Sequence, residues 1–149
     1  MNLCVDKLQA ILSGSLQDTT FRFAGIRIWE DVVAPSDDIC TVHTILESSR
    51  PAALLLHADR ALLTRLARAI MRQDILSPQD VEDVATEYFN IVCGRVVAGL
   101  FEATHMSACF QSPSFHLGRY LPQTASACRC VLNYAGGDNE RMQLIYLGL

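Results

Sequence analysis

The sequence predicts an α+β domain: an antiparallel or mixed β-sheet of about six strands with helices packed on one face. Three observations carry this reading. Strand-like runs lie on either side of a helical middle and are separated by short turn signals such as Gly136-Gly137-Asp138-Asn139. Two amphipathic helical stretches follow one another in that middle, and a shorter one opens the chain. The 149 residues are half hydrophobic and only 19% charged, which is enough apolar material for one domain with its own core, spanning 1–149. Strands joined by hairpins pair antiparallel, and helices then bury one face of the sheet.

Residues 2 to about 13 predict a short amphipathic helix with Leu3, Leu8, Ile11 and Leu12 on one side and Gly14 as its stop. Phe21-Arg22-Phe23 and Ile26-Arg27-Ile28-Trp29 alternate apolar and polar residues, the period of a half-buried strand, with Gly25 as a bulge or bend. Pro35 to Asp38 is a turn, Ile39 to Leu46 a β-branched strand, and Ala52 to His57 a buried strand. Asp59 is placed to cap a helix from Arg60 to about Arg72. Its apolar side is Leu62, Leu63, Leu66, Ala69 and Ile70, with Arg60, Arg65, Arg68 and Arg72 on a solvated face. Beyond the next helix, Ala108-Cys109-Phe110 reads as a strand that breaks near Pro113 and resumes at Phe115. Strands from Ala127 to Tyr134 and from Met142 to Leu147 close the chain.

The most informative stretch is the second of the central helices. Ser77 is an N-cap, Pro78 fits the first helical position and Asp80 completes a capping box, so the helix starts there and runs to about Glu102. At about 100° per residue, Asp83, Glu87, Asn90 and Gly94 fall within roughly 60° of arc. Val81, Ala85, Val92, Val96, Gly99 and Ala103 lie opposite, with Tyr88 and Phe89 at the flanks. The competing reading is an ordinary solvated face. Against it, the stripe holds no Lys or Arg and runs on into Val97 and Phe101.

The spacing Asp83-x3-Glu87-x2-Asn90-x22-Pro113, with Gly94 four after the Asn, resembles the motif of the CheC/CheX/FliY chemotaxis phosphatases. The length and element order are most similar to stand-alone CheX. The resemblance implies a CheC-like fold. It also implies hydrolysis of the aspartyl phosphate on a phosphorylated CheY-type receiver domain. In that mechanism Asn90 enters the regulator's active site and orients water, and Glu87 pairs with a lysine of the regulator. Asp83, Gly94 and Pro113 support the motif or the partner contact. The Mg²⁺ belongs to the regulator, so this chain needs no cofactor. The resemblance further implies a homodimer, and the apolar run Met142 to Leu147 suggests a sheet edge for it. Family members commonly carry a small residue before the Asn, where this chain has Phe89, which either belongs to the core or crowds the docking surface. The alternative function is therefore a weakly active or inactive module that docks on a receiver domain or a flagellar switch component. An unrelated domain matching by chance is the third reading.

Other chemistry is thinly represented. Net charge is −4 and the pI about 5.5, which speaks against nucleic acid as a partner. No stretch approaches the ~20 apolar residues of a membrane span, and the first residues lack a signal-peptide pattern, so a cytoplasmic protein is expected. The six cysteines form no C-x-x-C and no zinc spacing; they are expected as reduced thiols, with Cys128 and Cys130 on one face of a strand. His43, His57, His105 and His116 are scattered, and no metal site is expected.

Overall fold

A computed structural model describes residues 3–123, 129–137 and 140–149. Cys128, the start of the strand expected from Ala127, and the Asp138-Asn139 half of the expected hairpin lie outside those residues. In chain order the elements are α1 (Val5–Ala24), β1 (Trp29–Glu30), β2 (Ile39–Glu47), β3 (Ala52–Asp59), α2 (Arg60–Met71), α3 (Pro78–Thr104), β4 (Cys109–Phe110), β5 (Ser114–Leu117), β6 (Arg129–Gly137) and β7 (Glu140–Gly148). The described strands form one antiparallel sheet in the order β1-β6-β7-β3-β2-β4, with β5 also paired to β2. The α+β class holds, with seven strands because the interrupted one after α3 counts as two.

The helices cover one face of this sheet. Leu54, Leu56 and Ala58 of β3, Leu144 of β7 and Tyr134 of β6 meet Leu12 and Leu16 of α1, Leu62, Leu63 and Leu66 of α2, and Ala85, Phe89, Val92 and Val96 of α3, all buried. Alternate residues of the same strands point to the other face, where Ala53, Leu55, Ile145 and Leu147 form a second, smaller cluster. β3 is therefore buried along its whole length.

Two expectations change. The first helix does not stop at Gly14: it continues for 20 residues and ends at Gly25, which takes the left-handed conformation (φ 68°) while its N–H donates to Phe21 O. Phe21-Arg22-Phe23 is thus helical. Ser15, Leu16, Thr19 and Thr20 are buried, and that tertiary contact outweighs the roughly 1 kcal/mol a mid-helix glycine costs. Beyond the cap, Ile26 and Ile28 do alternate inward as expected, but pairing begins only at Trp29, opposite Ala135.

The Met142 to Leu147 run is also no free edge. β7 lies between β6 and β3 and is hydrogen-bonded along both sides. The ends of the sheet are β1 on one side and β4 with β5 on the other.

Asp59 sits at the N-cap position of α2 yet makes no side-chain cap. Its buried carboxylate accepts instead from Ser36 N, Ser36 Oγ and Arg141 N at 2.9, 2.6 and 2.8 Å, tying the turn before β2 to β7. α3 is long and apolar enough, by length and composition alone, to cross a bilayer. In this fold its apolar side is the core face just described.

Candidate functional site

The site is built on α3, whose start is fixed by reciprocal bonds. Asp80 N donates to Ser77 Oγ at 3.1 Å, and Ser77 N donates to Asp80 Oδ2 at 3.0 Å. Pro78 occupies the first turn, and the helix closes at His105, whose N–H donates to Phe101 O at 2.7 Å. Helix rotation is set by what α3 buries. Ala85, Tyr88, Phe89, Val92, Cys93, Val96 and Leu100 all face inward. Tyr88 OH and Thr20 Oγ1 of α1 share a hydrogen bond of 2.5 Å. Since Thr20 Oγ1 already donates to Leu16 O at 2.6 Å, Tyr88 is the donor of the pair. Burial pushes the Tyr88 phenol well above its ordinary pKa, so it remains a donor.

With that face buried, the other is fixed outward. Asp83, Glu87 and Gly94 are exposed and Asn90 is half-buried, so the four form one outward stripe. Asp83 Oδ1 accepts from Gln79 Nε2 at 2.8 Å, one turn earlier. Among the described residues no side chain engages Glu87 or Asn90. A Cβ on Gly94 would meet nothing within 4 Å, so internal packing does not require a glycine there. Gly99, on the inner side, differs: a Cβ there would lie 2.8 Å from Ile11 Cγ2 of α1. Phe89, which stands before Asn90, is fully buried and belongs to the core, not to the stripe.

Pro113 lies apart from the stripe in sequence and interrupts the edge strand. β4 pairs Phe110 with Leu46, while β5 pairs Ser114 with His43, so Gln111, Ser112 and Pro113 face only Ile45 and Thr44. The extra residue makes a bulge, where a residue without an N–H is tolerated. The break expected near Pro113 is present.

Beside the stripe the ends of α1 and α2 and the first turns of α3 enclose a cleft of about 470 Å³. Phe23, Ile70, Met71, Val84 and Ile91 give it apolar walls, and Asp80, Asp83 and Glu87 stand along its α3 side. No single motif announces this cleft; it depends on α1 running on past Gly14 to Phe23.

The histidines are less scattered than their positions suggest. β2–β5 pairing brings His43 Nε2 within 2.8 Å of His116 Nε2, and both rings stack on Tyr120. This cluster is on the sheet face away from the helices, as is His57, whose Nε2 lies 2.9 Å from Tyr120 O. Among the described residues no three His, Cys, Asp or Glu side chains converge on a metal-sized site. Cys4, Cys40, Cys93 and Cys109 are free thiols. Burial pushes the Cys93 thiol up to about 12, which makes it a poor nucleophile.

This helix-on-sheet arrangement recurs in known structures over nearly the whole chain. The chemotaxis protein CheX from Desulfovibrio desulfuricans superposes with a TM-score of 0.82 at 12% identity, covering 96% of this chain and 99% of that one. CheX from Vibrio vulnificus gives 0.83 at 10% identity, covering 99% and 100%. The fold is the CheX fold. A CheX from Borrelia burgdorferi, solved as a CheX–CheY–BeF3–Mg²⁺ complex, shares it with a TM-score of 0.73 at 13% identity, covering 97% and 96% of the two chains. No family model and no curated protein matches the sequence, so the likeness to CheX is one of fold.

Proposed function

We propose that the chain is a phosphatase of a phosphorylated CheY-type receiver domain, with Glu87 and Asn90 as the residues that reach the partner. The observation that carries this is the stripe itself: a carboxylate and a carboxamide one turn apart on the outer side of α3, neither of them held by another side chain among the described residues. The motif and the fold support the same partner class, and the Borrelia CheX is recorded with CheY. Asn90 both donates and accepts hydrogen bonds without adding negative charge, which suits a group that must hold water against a phosphoryl centre. Glu87 supplies the charge that pairs with a lysine on the receiver. Asp83 holds the start of the stripe, Gly94 leaves room beside it and Pro113 shapes the edge strand. The Mg²⁺ is the partner's, and the protein acts in the cytoplasm with its receiver.

Little covalent work is asked of this chain. An acyl phosphate is labile, and phosphoryl transfer depends mainly on positioning and charge stabilisation. A hundredfold acceleration needs only about 2.7 kcal/mol of barrier lowering. The test is phosphate release from a phosphorylated CheY receiver domain with and without the protein. Faster release supports the proposal. Binding without acceleration would leave a docking module, and no binding would reject both.

A two-fold homodimer belongs to the same proposal, but its edge is not β7. Among the described residues β1 is a free end of the sheet, and it carries Trp29 half-exposed, with Val32 and Val33 exposed just beyond it. Apolar groups on an unpaired edge favour pairing with another chain. Light scattering should give a dimer mass at micromolar concentration, and Val32→Lys with Trp29→Lys should return the monomer. A monomeric unaltered protein would reject the dimer.

A further inference from the structure

The cleft beside the motif stripe has walls and a rim of opposite character. Phe23, Ile70, Met71, Val84 and Ile91 present carbon to it. On the α3 side Asp80, Asp83 and Glu87 add carboxylates, and among the described residues no cation forms an ion pair with any of them. Water in an apolar cleft gains from displacement, and carboxylates without a counter-charge attract cations. One chemistry satisfies both: an apolar side chain flanked by lysine or arginine. A neutral apolar small molecule would leave the rim uncompensated. A polyanion or an anionic lipid surface would be repelled by it.

Position narrows the occupant further. Along α3 the cleft residues Asp80, Val84, Glu87 and Ile91 follow helical spacing, and so do the motif residues Asp83, Glu87, Asn90 and Gly94. The two rows lie roughly 60° apart on the helix. They are joined at Glu87, and Asp83 also lines the cleft. A folded partner that reaches Glu87 and Asn90 therefore has its adjoining surface over the cleft.

We propose that the cleft is the affinity-determining half of the docking face: it receives an apolar side chain flanked by lysine or arginine from the receiver domain whose active site meets Asn90. This rests on the reading of the stripe given above. The stripe supplies the chemistry, and the cleft supplies binding energy and choice of partner, since buried apolar anchors dominate interfaces while rim charges steer the encounter.

The test is a titration of the unaltered protein and cleft variants with a CheY receiver domain charged with beryllofluoride and Mg²⁺. It is run beside phosphate release at varied receiver concentration, with melting temperatures measured in parallel. Phe23→Ser and Met71→Glu should raise Kd and KM about tenfold, as expected of an interface anchor, with kcat at saturation unchanged. Met71→Leu should bind like the unaltered protein, and Asp83→Asn should flatten the salt dependence of Kd. Unchanged Kd in folded Phe23→Ser and Met71→Glu overturns the cleft proposal and leaves the stripe reading standing. A fall in kcat with KM unchanged overturns it as well. An unaltered protein that binds no receiver overturns both. If Met71→Glu melts early, Phe23→Ser, at a site already 47% exposed, decides.

Discussion

Tyr88 of α3 donates a 2.5 Å hydrogen bond to Thr20 of α1 in the buried seam between the two helices. Tyr88 follows Glu87 directly and stands two before Asn90, so this bond helps fix the rotation of α3 that turns both outward. Tyr88→Phe keeps the ring and removes one buried hydrogen bond, leaving Thr20 still donating to Leu16 O. Urea unfolding should show a loss of about 1–2 kcal/mol. An unchanged midpoint would mean the seam is held by packing alone.

The two glycines of α3 should respond oppositely to alanine. Gly94→Ala fills open space on the helix exterior and should stabilise the protein by about 0.5–1 kcal/mol through helix propensity. Gly99→Ala drives a Cβ into Ile11 and should destabilise it by about 1 kcal/mol. Thermal melts of the pair check this. If Gly94→Ala also weakens binding to the receiver, a partner approaches there. Stabilisation by Gly99→Ala would show that α1 yields easily.

Acid should loosen the sheet face opposite the helices. The His43–His116 contact needs at least one neutral ring, and burial, with the neighbouring His116 charge, holds His43 below the usual imidazole value of 6.5. A histidine whose folded pKa is depressed contributes stability that is full above its unfolded value. That stability is lost as pH falls from about 6.5 through the folded pKa. Stability should therefore drop between about pH 7.5 and 5.5 more steeply in the unaltered protein than in His43→Gln. Equal slopes would remove His43 from the account.

What was legible in the sequence was local. The start of α3 could be read because capping is a matter of neighbouring residues: Ser77, Pro78 and Asp80 make the box with no help from the rest of the chain. Its outward stripe could be read because its opposite side is apolar at one period. The extent of α1 is not local: Gly14 and the alternation at Phe21-Arg22-Phe23 point elsewhere, and burial of Leu16, Thr19 and Thr20 in the fold overrules them. Strand order is non-local by nature. Nothing near Met142 announces that β3, some 85 residues earlier, pairs along it. His43 and His116 meet only because β2 and β5 do, and the apolar cleft exists only because three helix ends converge. The candidate site was therefore visible as a row of residues but not as a surface.

The central claim is that Glu87 and Asn90 act on a partner and not on the fold. It is tested most directly by phosphate release from a phosphorylated CheY receiver domain, with receiver concentration varied, for Asn90→Ala and Glu87→Ala. Both variants should melt like the unaltered protein, within the ~0.5 kcal/mol typical of surface changes. Asn90→Ala should lower kcat on the order of 10²-fold with little change in KM, the scale of losing one positioned group. Glu87→Ala should raise KM about tenfold through a lost ion pair. Full activity in Asn90→Ala, or an early melt in either variant, would contradict the account.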